Sequence, residues 1–358
     1  MRITKLLYLS LANSFVVGCV GDKGDTSSQT DTSAQTDTST QADTSTQTDT
    51  VVDTGDAEVY PLFFTTMTHM EGGHPDDVRE ESFLHHAELL RYTADLALQY
   101  SAIITVESEI PFATGSVTWG DNVLAEILDS GHGVSTHCDI TEIYIEDTTH
   151  EAYVSELVAK KEAVDLLIGA ENNLGCSGAG GGTLDWVNGM ADAGFGYING
   201  TVSMHYLSME MEDRPDETWT DQYIKTQVSH DPSPSDLYDR IYLRQLNDSL
   251  DFVHDEGGRL VLSSGGLGRV DSQYGNNSDK IFTVEDVDAL VQTLTGINSN
   301  RDPSRVAKVE VHLSLEHLEL ENRSVLEYFF EKMEILQEGG VIQWMSQSDV
   351  YQLYIESL

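Results

Sequence analysis

The stretch Gly131-His132-Gly133-Val134-Ser135-Thr136-His137-Cys138-Asp139 decides how this chain reads. A glycine turn feeds a short strand built on Val134 and Thr136, and the strand ends on His137 and Asp139. Both are groups that bind metals or move protons. Working outward, strand-like runs fall at 60–67, 102–106, 133–136, 165–168, 196–202, 259–262, 308–313 and 340–345. Helical spacing separates them, as in Phe83, Ala87, Leu90, Ala94 and Leu98, or Val325, Phe329, Met333 and Leu336. Glycines at 131, 194, 257–258 and 339–340 sit where helices stop before strands. Repeated strand–helix alternation predicts an α/β fold. Its simplest form is a distorted (β/α) barrel of about seven or eight mostly parallel strands.

The N-terminal part has a different character. Arg2 and Lys5 precede a short apolar run that closes on Val16-Val17-Gly18-Cys19. Such a run is too short for a permanent span and fits a secretory signal. The small residue before Cys19 makes residues 1–18 resemble a bacterial lipoprotein signal, which implies lipid attachment at Cys19. Residues 19–56 then repeat aspartate every six positions, at Asp25, Asp31, Asp37, Asp43 and Asp49, among Thr, Ser, Gln and Ala. This acidic, low-complexity stretch cannot bury apolar surface and is expected to be a disordered tether. Residues 57–358 are long enough for one large domain. The expected setting is the cell envelope, periplasmic or surface-exposed, with the membrane as a partner through the lipid.

With 61 carboxylates against 19 lysines and arginines, the net charge is −42. The tether holds only Asp22, Asp25, Asp31, Asp37, Asp43, Asp49, Asp53 and Asp56, so the domain itself is strongly acidic. That charge argues against nucleic acid as a partner. Cys138 and Cys176 are too few for a disulfide framework, although an oxidising compartment would allow them to pair. Cys138 reads as a small buried residue.

In a (β/α) barrel, chemistry gathers where strands run into helices. Those positions give His69, Glu71, His74, Glu107, His137, Asp139, Glu171, His205, Ser263, Ser264, His312 and Ser346. Nitrogen and carboxylate donors of this kind suit zinc or another divalent transition metal. His69 and Glu71 lie two apart in an extended segment, so they share one face. His85 and His86 fall inside a helix and read as structural. The glycine-rich run 175–182 precedes Leu184-Asp185-Trp186 but lacks a phosphate-binding lysine. It reads as a substrate-side loop, with Trp186 as a sugar-stacking platform.

The segment 131–137 resembles the "GHEIGNH" element of the polysaccharide deacetylase family. Residues 64–73, Phe-Thr-Thr-Met-Thr-His-Met-Glu-Gly-Gly, stand in place of its "TFDDG" motif. Val309-Glu310-Val311-His312 resembles its late strand ending in a catalytic histidine, and residues 343–350 resemble its closing strand and helix. The resemblance implies a distorted α/β barrel and metal-dependent removal of acyl groups, acetyl above all, from a glycan. It implies Glu71 and His137 as metal ligands and His312 as general acid. Met70 stands where the base belongs, and Thr141 replaces the second metal histidine. His69 or Asp139 is then needed to complete the metal set, and Asp139 is a catalytic candidate in its own right. Arg269 is the candidate for the arginine of the third motif. Trp186, His205, Glu107 and Glu171 are candidate contacts to a carbohydrate substrate. Two other readings stay open: a glycosidase using paired carboxylates from Glu71, Glu107 and Glu171, and a non-catalytic carbohydrate-binding lipoprotein.

Overall fold

The structure is a computed structural model that describes residues 59–140, 148–180, 184–214, 217–228, 240–274 and 281–358. The signal segment, Cys19, the tether and Thr141 lie outside the described residues.

The first strand, β1 (Leu62–Met70), is the axis of the sheet and pairs in parallel with β2 (Thr105–Ser108), β9 (Ala307–His312) and β10 (Gln343–Trp344). Beyond β2 the order continues through β3 (Gly133–His137), β4 (Gly175–Ser177), β5 (Tyr197–Asn199) and β7 (Leu260–Ser263). The short β6 (Arg244–Leu246) closes that side antiparallel to β7, and β8 (Gly266–Arg269) pairs with β9. The residues before β6 then meet β9. Tyr242 bridges Ala307, Lys308 N donates to Ile241 O at 2.7 Å, and Leu243 N donates to Val306 O at 3.3 Å. These bonds bring the two edges together, so the strands curve into a distorted ring with one antiparallel pair.

Helices cover the outside. The main ones are α1 (Glu80–Gln99), α2 (Ile110–Trp119), α3 (Val123–Asp129), α4 (His150–Ile168), α5 (Trp186–Asp192), α6 (Val284–Asn300), α7 (Arg323–Glu338) and α8 (Gln347–Glu356). Side chains on β1 alternate between two environments, as strand geometry requires. Leu62 and Phe64 pack outward into the main core with Phe329, Phe330 and Trp344. Phe63 points the other way and joins Tyr197, Leu243, Val261, Val306, Val350 and Tyr354 in a plug at the N-terminal end of the barrel. The apolar face of α1 holds as expected through Phe83, Ala87, Leu90 and Ala94, but its last turn buries Ala97 while Leu98 is 48% exposed.

One strand lies elsewhere than expected. Residues 165–168 are the end of α4, with Val164 and Ile168 buried and Leu166 facing solvent, a helical pattern. The strand at that place in the order is Gly175–Ser177, made of small residues. A disulfide joins Cys138 to Cys176 with Cα atoms 5.9 Å apart, so Cys138 is a cross-link between the ends of β3 and β4 and not a free buried thiol. Between β5 and β6, residues 208–214 and 217–228 are packed down, with Trp219 and Ile224 buried and the Arg214 guanidinium donating to the carbonyls of Met209 and Trp219.

Candidate metal centre

Following the inward positions up each strand shows how the site is built. On β1 they run Phe63, Thr65, Met67, His69; on β9 they run Val306, Lys308, Glu310, His312. The register pairs Thr65 with Glu310 and Met67 with His312. The barrel interior therefore changes from an apolar plug, through a polar middle, to histidines at the C-terminal rim. A cavity of about 470 Å³ opens at that rim. Its walls include His69, Glu71, His137, Asp139, Glu310 and His312.

The expected ligands converge. Donor atoms of His69, Glu71 and His137 lie within 4.8 Å of one another. The Glu71 carboxylate spans the edges of the two rings, with Oε1 3.6 Å from His69 Nδ1 and Oε2 3.4 Å from His137 Nε2. The rings stack at 3.8 Å between centroids. A second grouping of the same kind brings Glu71 and His137 together with Glu109 and Asp139. Glu109 went unnoticed in the sequence because it opens α2. Its carboxylate accepts from Gly72 N at 2.6 Å and from Lys160 Nζ at 2.9 Å, which ties the loop after β1 to α4.

Behind the rim, hydrogen bonds orient the ligands. Ser177 Oγ donates to Glu107 Oε2 and sits 2.8 Å from His137 Nδ1. With its single proton committed to Glu107, Ser177 accepts from His137 Nδ1–H. The Nε2 lone pair of His137 is thereby turned toward the Glu71 carboxylate. A lone pair and an anion facing each other call for a cation between them, and a histidine held by its other nitrogen is the usual preparation for a metal. The donor set of two imidazoles and a carboxylate fits a divalent transition metal. Glu107, expected to touch substrate, instead lies fully buried behind the cavity wall. It takes His69 Nε2 at 3.1 Å and Asn199 Nδ2 at 3.1 Å, so it serves to orient His69.

The charges follow from these contacts. Burial opposes a charge on His69, but Glu107 and Glu71 outweigh it and hold the imidazole up at about 9. The His137 and His69 imidazoles that flank it hold the Glu71 carboxyl far below the usual carboxylate range. Burial, with the positive charges of His69, Arg269 and His317 near it, keeps His312 well below its usual value. The His312 ring lies 4.4 Å from that of His69, and its Nε2 has no hydrogen-bond partner among the described residues. Arg269, in register with His312 at the end of β8, lines the cavity and is fixed by Asp271 at 2.9 Å.

Of the remaining expected contacts, His205 lines the cavity from a turn at Ser203–Ser208. Trp186 does not. It is fully buried among apolar residues, with its ring N–H donated to His205 O, and presents no face to a sugar. Glu171 is exposed in the loop entering β4, at the opposite end of the strand from the cavity, an error that followed from placing a strand at 165–168. Met70 is buried in the outer core, so the position of the family's base carries no chemistry here. His86 is structural as expected, its Nδ1 bonded to Asp76 at 2.9 Å.

No protein-family model matches the chain, and no curated protein matches it. Solved structures do. A structure assigned as a polysaccharide deacetylase from Pseudomonas aeruginosa PAO1 superposes with a TM-score of 0.52 at 10% identity, over 81% of this chain and 90% of that one. One so assigned from Mycobacterium smegmatis gives 0.51 at 11%, over 84% and 92%. The fold is polysaccharide deacetylase-like. Puue allantoinase also superposes, with a TM-score of 0.50 at 11% identity over 81% and 89% of the two chains.

Proposed function

We propose that this chain is a metal-dependent hydrolase that removes acyl groups, acetyl foremost, from a carbohydrate. The observation that carries the reading is the convergence of His69, Glu71 and His137 at the rim of a cavity that also holds His312. These three residues would hold the metal, with zinc the best match to the donors. Bound there, a divalent cation supplies Lewis acidity toward an acyl carbonyl and lowers the pKa of water. Ser177 and Glu107 keep His137 and His69 aimed. Asp139 lines the cavity within reach of the same donor cluster and takes the proton of the attacking water, the task for which Met70 is unsuited. His312 Nε2, without a hydrogen-bond partner among the described residues, faces the leaving nitrogen or oxygen and relays to it the proton that Asp139 takes from the water, so that His312 ends neutral as it began. Arg269 steadies charge beside His312. In the same proposal, residues 1–18 are a signal, Cys19 carries lipid, residues 19–56 are a tether, and the enzyme works at the cell envelope.

The test is metal analysis of the full chain purified without chelator, coupled to acetate release from N-acetylated chitooligosaccharides and acetylated xylan. A stoichiometric divalent metal, lost together with acetate release in His137→Ala, is the expected result. A protein that takes up no zinc, cobalt or nickel sinks the proposal and favours the carbohydrate-binding reading, for which the core position of Met70 is the supporting observation.

A further inference from the structure

Glu310 lies one inward position below His312 on β9, with its side chain fully buried. Its two oxygens have different surroundings. Oε2 accepts from Lys308 Nζ at 2.6 Å and from Gln347 Nε2 at 2.8 Å. Oε1 has no partner. Lys308 Nζ is also in contact with Asn199 Oδ1 at 2.6 Å, Ser263 O at 2.8 Å and Gln347 Oε1 at 3.0 Å. Four acceptors around one nitrogen require the ammonium form, so Glu310 is the carboxylate of a buried ion pair and Oε1 is purely an acceptor.

A buried carboxylate oxygen left unpaired is costly, and its presence asks for an explanation. The backbone around it supplies one. Gly200, with φ of +66°, and Gly266 flank the oxygen, and a Cβ at either would stand 3.0 Å or 3.4 Å from Oε1. The two glycines place no side chain beside Oε1, and both of them and Glu310 belong to the lining of the cavity. Below the rim histidines, the lining of the cavity therefore includes Glu310.

We propose that Glu310 Oε1 is the floor contact for substrate, accepting a hydrogen bond from a hydroxyl, amide or ammonium group inserted into the barrel. The assignment rests on the hydrolase reading for the identity of the ligand, and it narrows the substrate class. A neutral, N-acylated or amino sugar satisfies the floor, whereas a uronate carboxylate, sulfate or phosphate at that depth meets an anion. The rim residues would act on the acyl group while Glu310 selects the sugar that carries it.

The experiment compares the full-length wild type with Glu310→Gln and Gly266→Ala. Glu310→Gln keeps the shape and, with its amide oxygen drawn to Lys308, turns an N–H₂ toward the cavity. Gly266→Ala puts a methyl beside Oε1 and leaves the ion pair intact, which covers the case in which Glu310→Gln does not fold. The readout is the ratio of kcat/KM for chitotetraose to that for p-nitrophenyl acetate, which has no hydrogen to donate, with metal content as a second measure. The expected result is a ratio lower by about tenfold or more in both variants, with metal content retained. Equal losses on both substrates, or no loss on either, overturn the inference. If the wild type hydrolyses neither compound, the hydrolase reading has failed and saturation-transfer NMR decides the floor. Wild-type binding of N-acetylglucosamine but not glucuronate, lost in the variants, upholds Glu310; any other pattern refutes it.

Discussion

Two rings of polar side chains line the barrel one inward step apart, and they are built on opposite terms. In the middle ring Lys308, Asn199, Gln347, Glu107 and Glu310 Oε2 bond to one another in a continuous network, with Glu310 Oε1 outside it. At the rim His69, Glu71, His137 and His312 crowd together with long contacts of 3.4–3.6 Å and a histidine nitrogen without a hydrogen-bond partner among the described residues. A saturated ring is rigid and holds its neighbours in place. A convergent, undersatisfied ring is arranged for something to enter it. The difference separates support from chemistry more sharply than residue type does, since both rings contain carboxylates and cations.

The comparison predicts a split between stability and function. Lys308→Met strikes the middle ring and leaves Glu310 as a buried charge without its cation. It should cost about 3–5 kcal/mol in urea unfolding, the usual penalty for breaking a buried pair. A cost below ~1 kcal/mol would mean that the ring is hydrated and not a rigid support. The Cys138→Ser/Cys176→Ser double variant removes a cross-link between positions 38 residues apart, and chain entropy sets its cost at up to about 4 kcal/mol. Because Cys138 follows His137 and Cys176 precedes Ser177, this variant should also weaken zinc uptake, measured by competition with a chromophoric chelator. His137→Ala strikes the rim, and in metal-free protein should cost only about 1 kcal/mol, the value of its bond to Ser177. A large loss there would show the rim to be as structural as the ring below it.

Much of this arrangement could be read from the sequence, and the exceptions share a cause. The rim was legible because His69, His137 and His312 each terminate an apolar run, and in a parallel barrel strand ends are where side chains reach the cavity. The middle ring was not. In Lys308-Val309-Glu310-Val311-His312 the alternation is that of a strand with its polar face in solvent, whereas here the polar residues point inward and Val309 and Val311 pack outward into the core. Alternation reports two unlike faces without saying which is inside. β4 escaped notice for a related reason. Gly175-Cys176-Ser177 has no strand-forming side chains and is held by pairing on both sides and by the disulfide, while the apolar residues of 165–168 serve a helix. That one misplacement carried Glu171 into the expected site and left Ser177 out.

The smallest expected effect bears on the charge of the rim itself. Without metal, His69 is held up at about 9 by Glu107 and Glu71, against about 6.5 in an unfolded chain. A raised pKa means that the folded state binds the proton more tightly than the unfolded state does. The resulting stability is fully present below pH 6.5 and is lost as pH rises through 9. The melting temperature of the metal-free protein should therefore fall over that interval, and His69→Gln should flatten the fall. Zinc must displace the same proton, so in zinc-saturated protein the dependence should shrink. A melting temperature flat from pH 6.5 to 9 in metal-free wild type would show that the rim holds no such proton. The two rings would then differ in how well their bonds are satisfied but not in charge, and the case for a cation at Glu71 would rest on the lone pair of His137 alone.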